Sequence, residues 1–126
     1  IGALQFLLEN DLAALALEKG KIIMDAMKEA QKKYPGLIKE VRGRGCLIGV
    51  EFEDTKPEHA AKYGPNWAME CERYFSEEYR IQIMHSFNNP RVFRWLPPLT
   101  APMDEIDYAL KAFDASMKHV FELAKA

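Results

Sequence analysis

Apolar residues recur along this chain at two different spacings, and the switches between them mark out its elements. Leu4, Leu7 and Leu8 share one helical face, and Asn10 suits the N-cap of a following helix. From Asp11 onward, Leu12, Leu15, Ile22, Ile23, Ala26, Met27 and Ala30 return every three or four residues. That spacing predicts an amphipathic helix, which Tyr34-Pro35-Gly36 ends. Ile38 to Val41 leads through Gly43 and Gly45 into the apolar run Cys46 to Phe52, which reads as a buried strand. Asp54 to Pro65 is a polar connection rich in turn residues. Asn66 is placed to cap a helix running to about Tyr79, with Ala68, Cys71, Phe75 and Tyr74 turned inward. Ile81 to Met84 predicts a short strand, His85 to Pro90 a loop, and Val92 to Leu96 the last strand. Ile106, Ala109, Leu110, Phe113, Met117, Val120, Phe121 and Ala124 then form one continuous stripe, so a helix is predicted over Met103 to Ala124.

The resulting order is helix, strand, helix, strand, strand, helix, with no repeat or low-complexity tract. The fold expected is α+β: a small, mostly antiparallel, three- to four-stranded sheet with helices packed on it. At 126 residues and 48% hydrophobic content, the chain can fill a single core, so residues 1–126 read as one domain. A net charge of −2 leaves no basic field for nucleic acid, and the longest apolar runs fall short of a membrane span. Cys46 and Cys71 are not in a C-x-x-C pair and read as buried free thiols, which suits a reducing cytoplasm. The chain opens on Ile1 inside a helical pattern, so it reads as a piece of a longer protein.

Candidate chemistry centres on Val92-Phe93-Arg94-Trp95-Leu96-Pro97-Pro98-Leu99-Thr100. One arginine lies inside an otherwise apolar strand that two prolines then stop. A guanidinium is always charged, and its planar fork matches a carboxylate. Burying it alone is costly, so an acidic partner is expected. That partner is either an acid of the same fold or the carboxylate of a ligand, and residue physics leaves both open.

The other candidates carry less. Arg42-Gly43-Arg44-Gly45 has the glycines of a turn, but it leads into a strand rather than a helix N-terminus and lacks G-K-[ST], which argues against nucleotide binding. His59 lies in a charged loop and His119 among positions expected to be exposed; neither has a second ligand at metal spacing. His85 precedes Ser86-Phe87-Asn88-Asn89, read either as solvated turn chemistry or as the rim of a substrate entrance. Glu70, Glu72, Glu77 and Glu78 read as a solvated acidic face. No acid–base pair or nucleophile set is arranged for catalysis.

Val92 to Thr100, followed by Asp104-Glu105-Ile106-Asp107, resembles the C-terminal end of class III aminotransferases, fold-type I enzymes that use pyridoxal phosphate (PLP). These carry I-R-x-x-P-P-L before a helix containing E-E-I-D. Upstream, Val41 to Phe52 resembles their V-R-G-x-G-L-x-x-G-I-E-F segment. The resemblance runs over nearly the whole chain and matches only the small C-terminal domain, with residues 1–9 as the end of an interdomain helix. It implies an enzyme moving an amino group from an amine or amino acid to a 2-oxo acid, as a cytoplasmic homodimer. Arg94 would bind the substrate carboxylate, and Arg42 or Arg44 would lie near the domain junction. The Asn88-Asn89 loop is similar to that of putrescine- or ornithine-type members.

The family's Schiff-base lysine sits in a segment resembling [ST]-x-[GA]-K. No lysine here has that context, Lys32, Lys33, Lys62, Lys111, Lys118 and Lys125 included, so PLP is expected to bind in the large domain and the isolated chain to be inactive. No catalytic, cofactor-binding or metal-binding residue is therefore assigned within the chain. Two departures stand out: Pro102 replaces the family's serine cap, and the usual glycine after the middle helix is missing around Tyr79-Arg80. Other readings are a decarboxylase or aminomutase on the same scaffold, or a free-standing ligand-binding or interaction domain.

Overall fold

A computed structural model describes residues 1–126. In chain order the elements are α1 (Gly2–Glu9), α2 (Leu12–Lys33), β1 (Ile38–Arg44), β2 (Leu47–Phe52), α3 (Pro57–Tyr63), α4 (Trp67–Tyr79), β3 (Met84–His85), β4 (Val92–Trp95) and α5 (Met103–Lys125). The four strands form one antiparallel sheet in the order β1-β2-β4-β3. The α+β class and the small antiparallel sheet expected from the sequence are both present.

Alternation along the central strands sorts the two sheet faces. Ile48, Val50 and Phe52 of β2 and Phe93 and Trp95 of β4 are buried, and Val50 lies opposite Phe93 as Ile48 lies opposite Trp95. This face meets Ile23 and Met27 of α2, Phe75 of α4, and Phe113, Met117 and Val120 of α5 in one hydrophobic cluster. Phe113 sits edge-on to Trp95, with ring centroids 5.7 Å apart, and Phe75 meets Phe93 the same way at 5.7 Å. Burying one such ring fully contributes roughly 1.5–3 kcal/mol. The opposite face carries Leu47, Gly49, Glu51, Val92 and Arg94, with Met84 beside Arg94 across the β3–β4 ladder.

Several local expectations need correction. Asp11, not Asn10, caps α2, because its carboxylate accepts from Ala14 N at 3.0 Å. Asn10 instead closes α1, with its side-chain amide donating to Phe6 O. The connection expected from Asp54 to Pro65 contains the short helix α3, begun by Pro57 at its first position. Gly43 lies within β1 rather than in a loop, and Cys46 lies in the hairpin turn rather than in the strand. Arg44 pairs with Leu47 around Gly45-Cys46. Gly45 has φ 57°, the glycine-first pattern of two-residue hairpin turns. The strand expected over Ile81 to Met84 shrinks to Met84–His85; Ile81 and Ile83 pack on the core without joining the ladder.

Candidate functional site

β4 ends at Trp95, and the Pro97-Pro98 pair turns the chain toward α5. A cavity of about 800 Å³ opens at this end of the sheet, between the 81–84 segment, the end of β4 and the first turns of α5. Its walls are mostly apolar, with Ile81, Ile83, Trp95, Pro97 and Ile106 among them, and Arg94 is the only basic side chain on it. Gln82, Asp104, Glu105 and Tyr108 supply the other polar groups.

Arg94 is half-buried and forms no ion pair with any acid of this chain. Its Nε is buried without a hydrogen-bond partner. Its cross-strand neighbours are Gly49 and Met84, so no acid stands opposite it in the ladder. The expectation of an acid from the same fold is therefore not met. Arg42, Arg73 and Arg91 behave otherwise. Arg42 donates to Glu40 at 2.8 Å and to Glu51 at 2.6 Å. Arg91 grips Asp54 with Nε and one terminal nitrogen at 2.6 and 2.7 Å. The Arg42 hydrogen bond holds the Glu51 carboxyl below the ordinary carboxylate range, against a smaller upward push from burial.

The remaining candidates fall away from the cavity. His85 Nδ1 lies 2.8 Å from Glu72 of α4, and the loop after it is closed by Ser86 N donating to Val92 O. No residue of that loop lines the cavity; Met84, just before His85, does. His59 stands on α3 beside Tyr63 and Trp67, its Nδ1 buried and unpartnered. His119 is not exposed as expected: it stacks on Tyr74 at 4.2 Å, and its Nε2 donates to Glu70 at 3.1 Å. Glu70 is likewise not solvated: it is buried, and the Arg73 guanidinium forks back onto it from three residues later in α4. Cys46 and Cys71 are free and buried, and burial pushes both thiols up. No group of three or more acidic, histidine or cysteine side chains is placed to hold a metal.

Sequence reading overlooked Lys19. It is buried in α2, with Nζ donating to Leu99 O at 2.6 Å and Ala101 O at 2.7 Å. The available signal was its place on the apolar stripe, four residues after Leu15 and four before Ile23.

Comparison with known proteins agrees with this architecture. The family model for aminotransferase class III matches residues 1–117. An uncharacterized aminotransferase of Schizosaccharomyces pombe is 32% identical over 117 residues, which is 93% of this chain and 24% of that protein. The ornithine aminotransferase of Toxoplasma gondii, whose active site holds PLP at partial occupancy, superposes with a TM-score of 0.78 at 27% identity, covering 98% of this chain and 26% of that one. An Arthrobacter phospholyase solved with phosphoethanolamine shares the fold, with a TM-score of 0.73 at 21% identity over 92% of this chain and 26% of its own. The chain thus spans about a quarter of the length of these relatives. It belongs to the class III aminotransferase family.

Proposed function

We propose that this chain is the C-terminal small domain of a PLP-dependent aminotransferase, transferring an amino group from an amine or amino acid to a 2-oxo acid. Arg94 binds the carboxylate of the amino-acid or oxo-acid partner. The observation that carries this reading is a half-buried guanidinium on a mostly apolar cavity, its Nε unpartnered and no acid of its own fold within ion-pair distance. Such a group leaves a standing demand for an anion. Its fork geometry selects a carboxylate, and the apolar wall suits the rest of a small organic acid.

The cavity does not fit the cofactor itself. No lysine lines it, and the buried ammonium of Lys19 is committed to two backbone carbonyls. PLP is therefore assigned to residues outside this chain, and the role of this domain is to orient and select the acid. The homodimer and cytoplasmic setting implied by the resemblance belong to the same proposal. No helix is long and apolar enough to cross a membrane.

The test is Arg94→Ala in the complete enzyme. Losing a charge-assisted bidentate pair removes about 1.5–3 kcal/mol, so KM for the oxo acid rises about ten- to a hundredfold. The cofactor's absorbance stays in place. Unchanged oxo-acid kinetics would overturn the assignment of Arg94.

A further inference from the structure

We infer that Lys19 is a positioning residue that sets the wall of the Arg94 cavity from α2, one turn before the cavity-lining Ile23. This inference rests on the proposed carboxylate-binding role of Arg94. The two residues never meet; they act on the same short stretch of chain. Leu96, Pro97, Pro98 and Ala101 line the cavity together with Arg94. Ala101 N donates to Pro98 O at 3.0 Å, folding this stretch into a turn whose Leu99 and Ala101 carbonyls point toward α2. Lys19 Nζ reaches both carbonyls across 80 and 82 residues of sequence.

Both ends of the Lys19 side chain are held. At its tip, two of the three ammonium donors are spent on those carbonyls. At its root, the adjacent Gly20 lies so close to the β1–β2 turn that an added Cβ would meet Gly45 O at 2.0 Å. The side chain thus spans the gap between α2, seated against the hairpin turn at Gly20, and the proline loop. A buried ammonium with no carboxylate partner is a costly device for joining a helix to a loop. A neutral donor could satisfy two carbonyls. The charge makes the tether stiff, because charge-assisted hydrogen bonds are shorter and about twice as strong as neutral ones. The consequence falls on the ligand: the wall facing Arg94 keeps its place, so the acid meets a pre-organised site and does not have to order it on binding.

The experiment is a double-mutant cycle in the complete enzyme, with kcat and KM for the 2-oxo acid as readouts. Lys19→Met, similar in length and uncharged, is expected to raise that KM about tenfold while kcat stays within about twofold, the pattern of lost uniform binding. In the Arg94→Ala background the same change is expected to add nothing, because the cavity has already lost the ligand's acid. Lys19→Gln keeps a neutral donor; it carries the same test if Lys19→Met does not fold, and a smaller KM increase is expected of it. A lowered melting temperature with unchanged KM would show a purely structural lysine and overturn the inference. So would KM effects that multiply in the double variant. If Arg94→Ala alone leaves KM unmoved, the reading of the site fails first and the role of Lys19 falls with it.

Discussion

Arg80 stands just past the last turn of α4 with φ 56° and ψ 28°, the only non-glycine residue of the chain in the left-handed region. An L-residue pays roughly 1–2 kcal/mol there, and glycine does not. Helices that end in this way usually place glycine at the turn, and the glycine that the family pattern led us to expect is what the chain lacks. Arg80→Gly is therefore expected to stabilise the domain by about 0.5–1 kcal/mol, after the added backbone freedom of the unfolded chain is subtracted. Denaturant unfolding with an unchanged m-value checks it. At this scale the sequence was legible for residues that carry a pattern. Arg94 stood out as a charge within an apolar strand, and it does face the cavity without a partner. Lys19 was hidden because one lysine on an apolar stripe reads equally well as a side chain snorkelling to water. Its partners are carbonyls about eighty residues away, and backbone acceptors leave no mark on side-chain identity.

The packing of α4 on α5 turns on one carboxylate. Glu70 is buried, yet it accepts from Arg73 through Nε at 2.9 Å and from His119 of α5, whose ring lies flat on Tyr74. Burial pushes its pKa up, but the Arg73 fork and the His119 hydrogen bond outweigh that, and the carboxyl is held below its ordinary 4.5. A carboxylate that is more acidic folded than unfolded adds stability above the unfolded value and gives it up as pH falls through the folded one. The domain should thus lose stability on acidification below 4.5 more steeply than Glu70→Gln does. At neutral pH the same substitution costs about 1–2 kcal/mol through the weakened hydrogen bonds. Thermal melts of both proteins from neutral pH down to pH 3 decide it, and parallel curves would remove Glu70 from the account. Nothing in the one-dimensional pattern separated Glu70 from Glu72, Glu77 and Glu78, since its burial depends on where α5 crosses α4. The elements themselves read more plainly. The stripe of α5 and the Asn66 cap of α4 appear where the periodicity and the capping residue put them. The strand expected at Ile81 failed because apolar residues at that spacing can line a core without joining a ladder.

Across the whole molecule the helical layer is complete and the outer surface is not. Leu47 and Met84 stand more than half exposed on the sheet face that carries Arg94. At the chain start, α1 buries none of its eight residues and leaves Leu4, Phe6, Leu7 and Leu8 exposed. Within the chain, α1 is held by its own backbone and by local side-chain bonds, such as Gln5 Nε2 donating to Glu9 at 2.9 Å. Isolated helices shorter than about 12–15 residues are marginal in water, so α1 has no reason to persist unless further protein covers its leucines. Under the proposed division, with residues 1–9 as the end of an interdomain helix, that cover comes from the large domain. Amide hydrogen exchange separates the two situations. In the isolated chain the α1 amides are expected to exchange close to the unprotected rate, while β2 and the middle of α5, built into the core, exchange only through global unfolding. In the complete enzyme, α1 should gain protection of at least about a hundredfold, since docking three leucines and a phenylalanine supplies several kcal/mol against local opening. Equal protection of α1 in both proteins would mean that the helix needs no cover, and the boundary drawn at residue 9 would have to move.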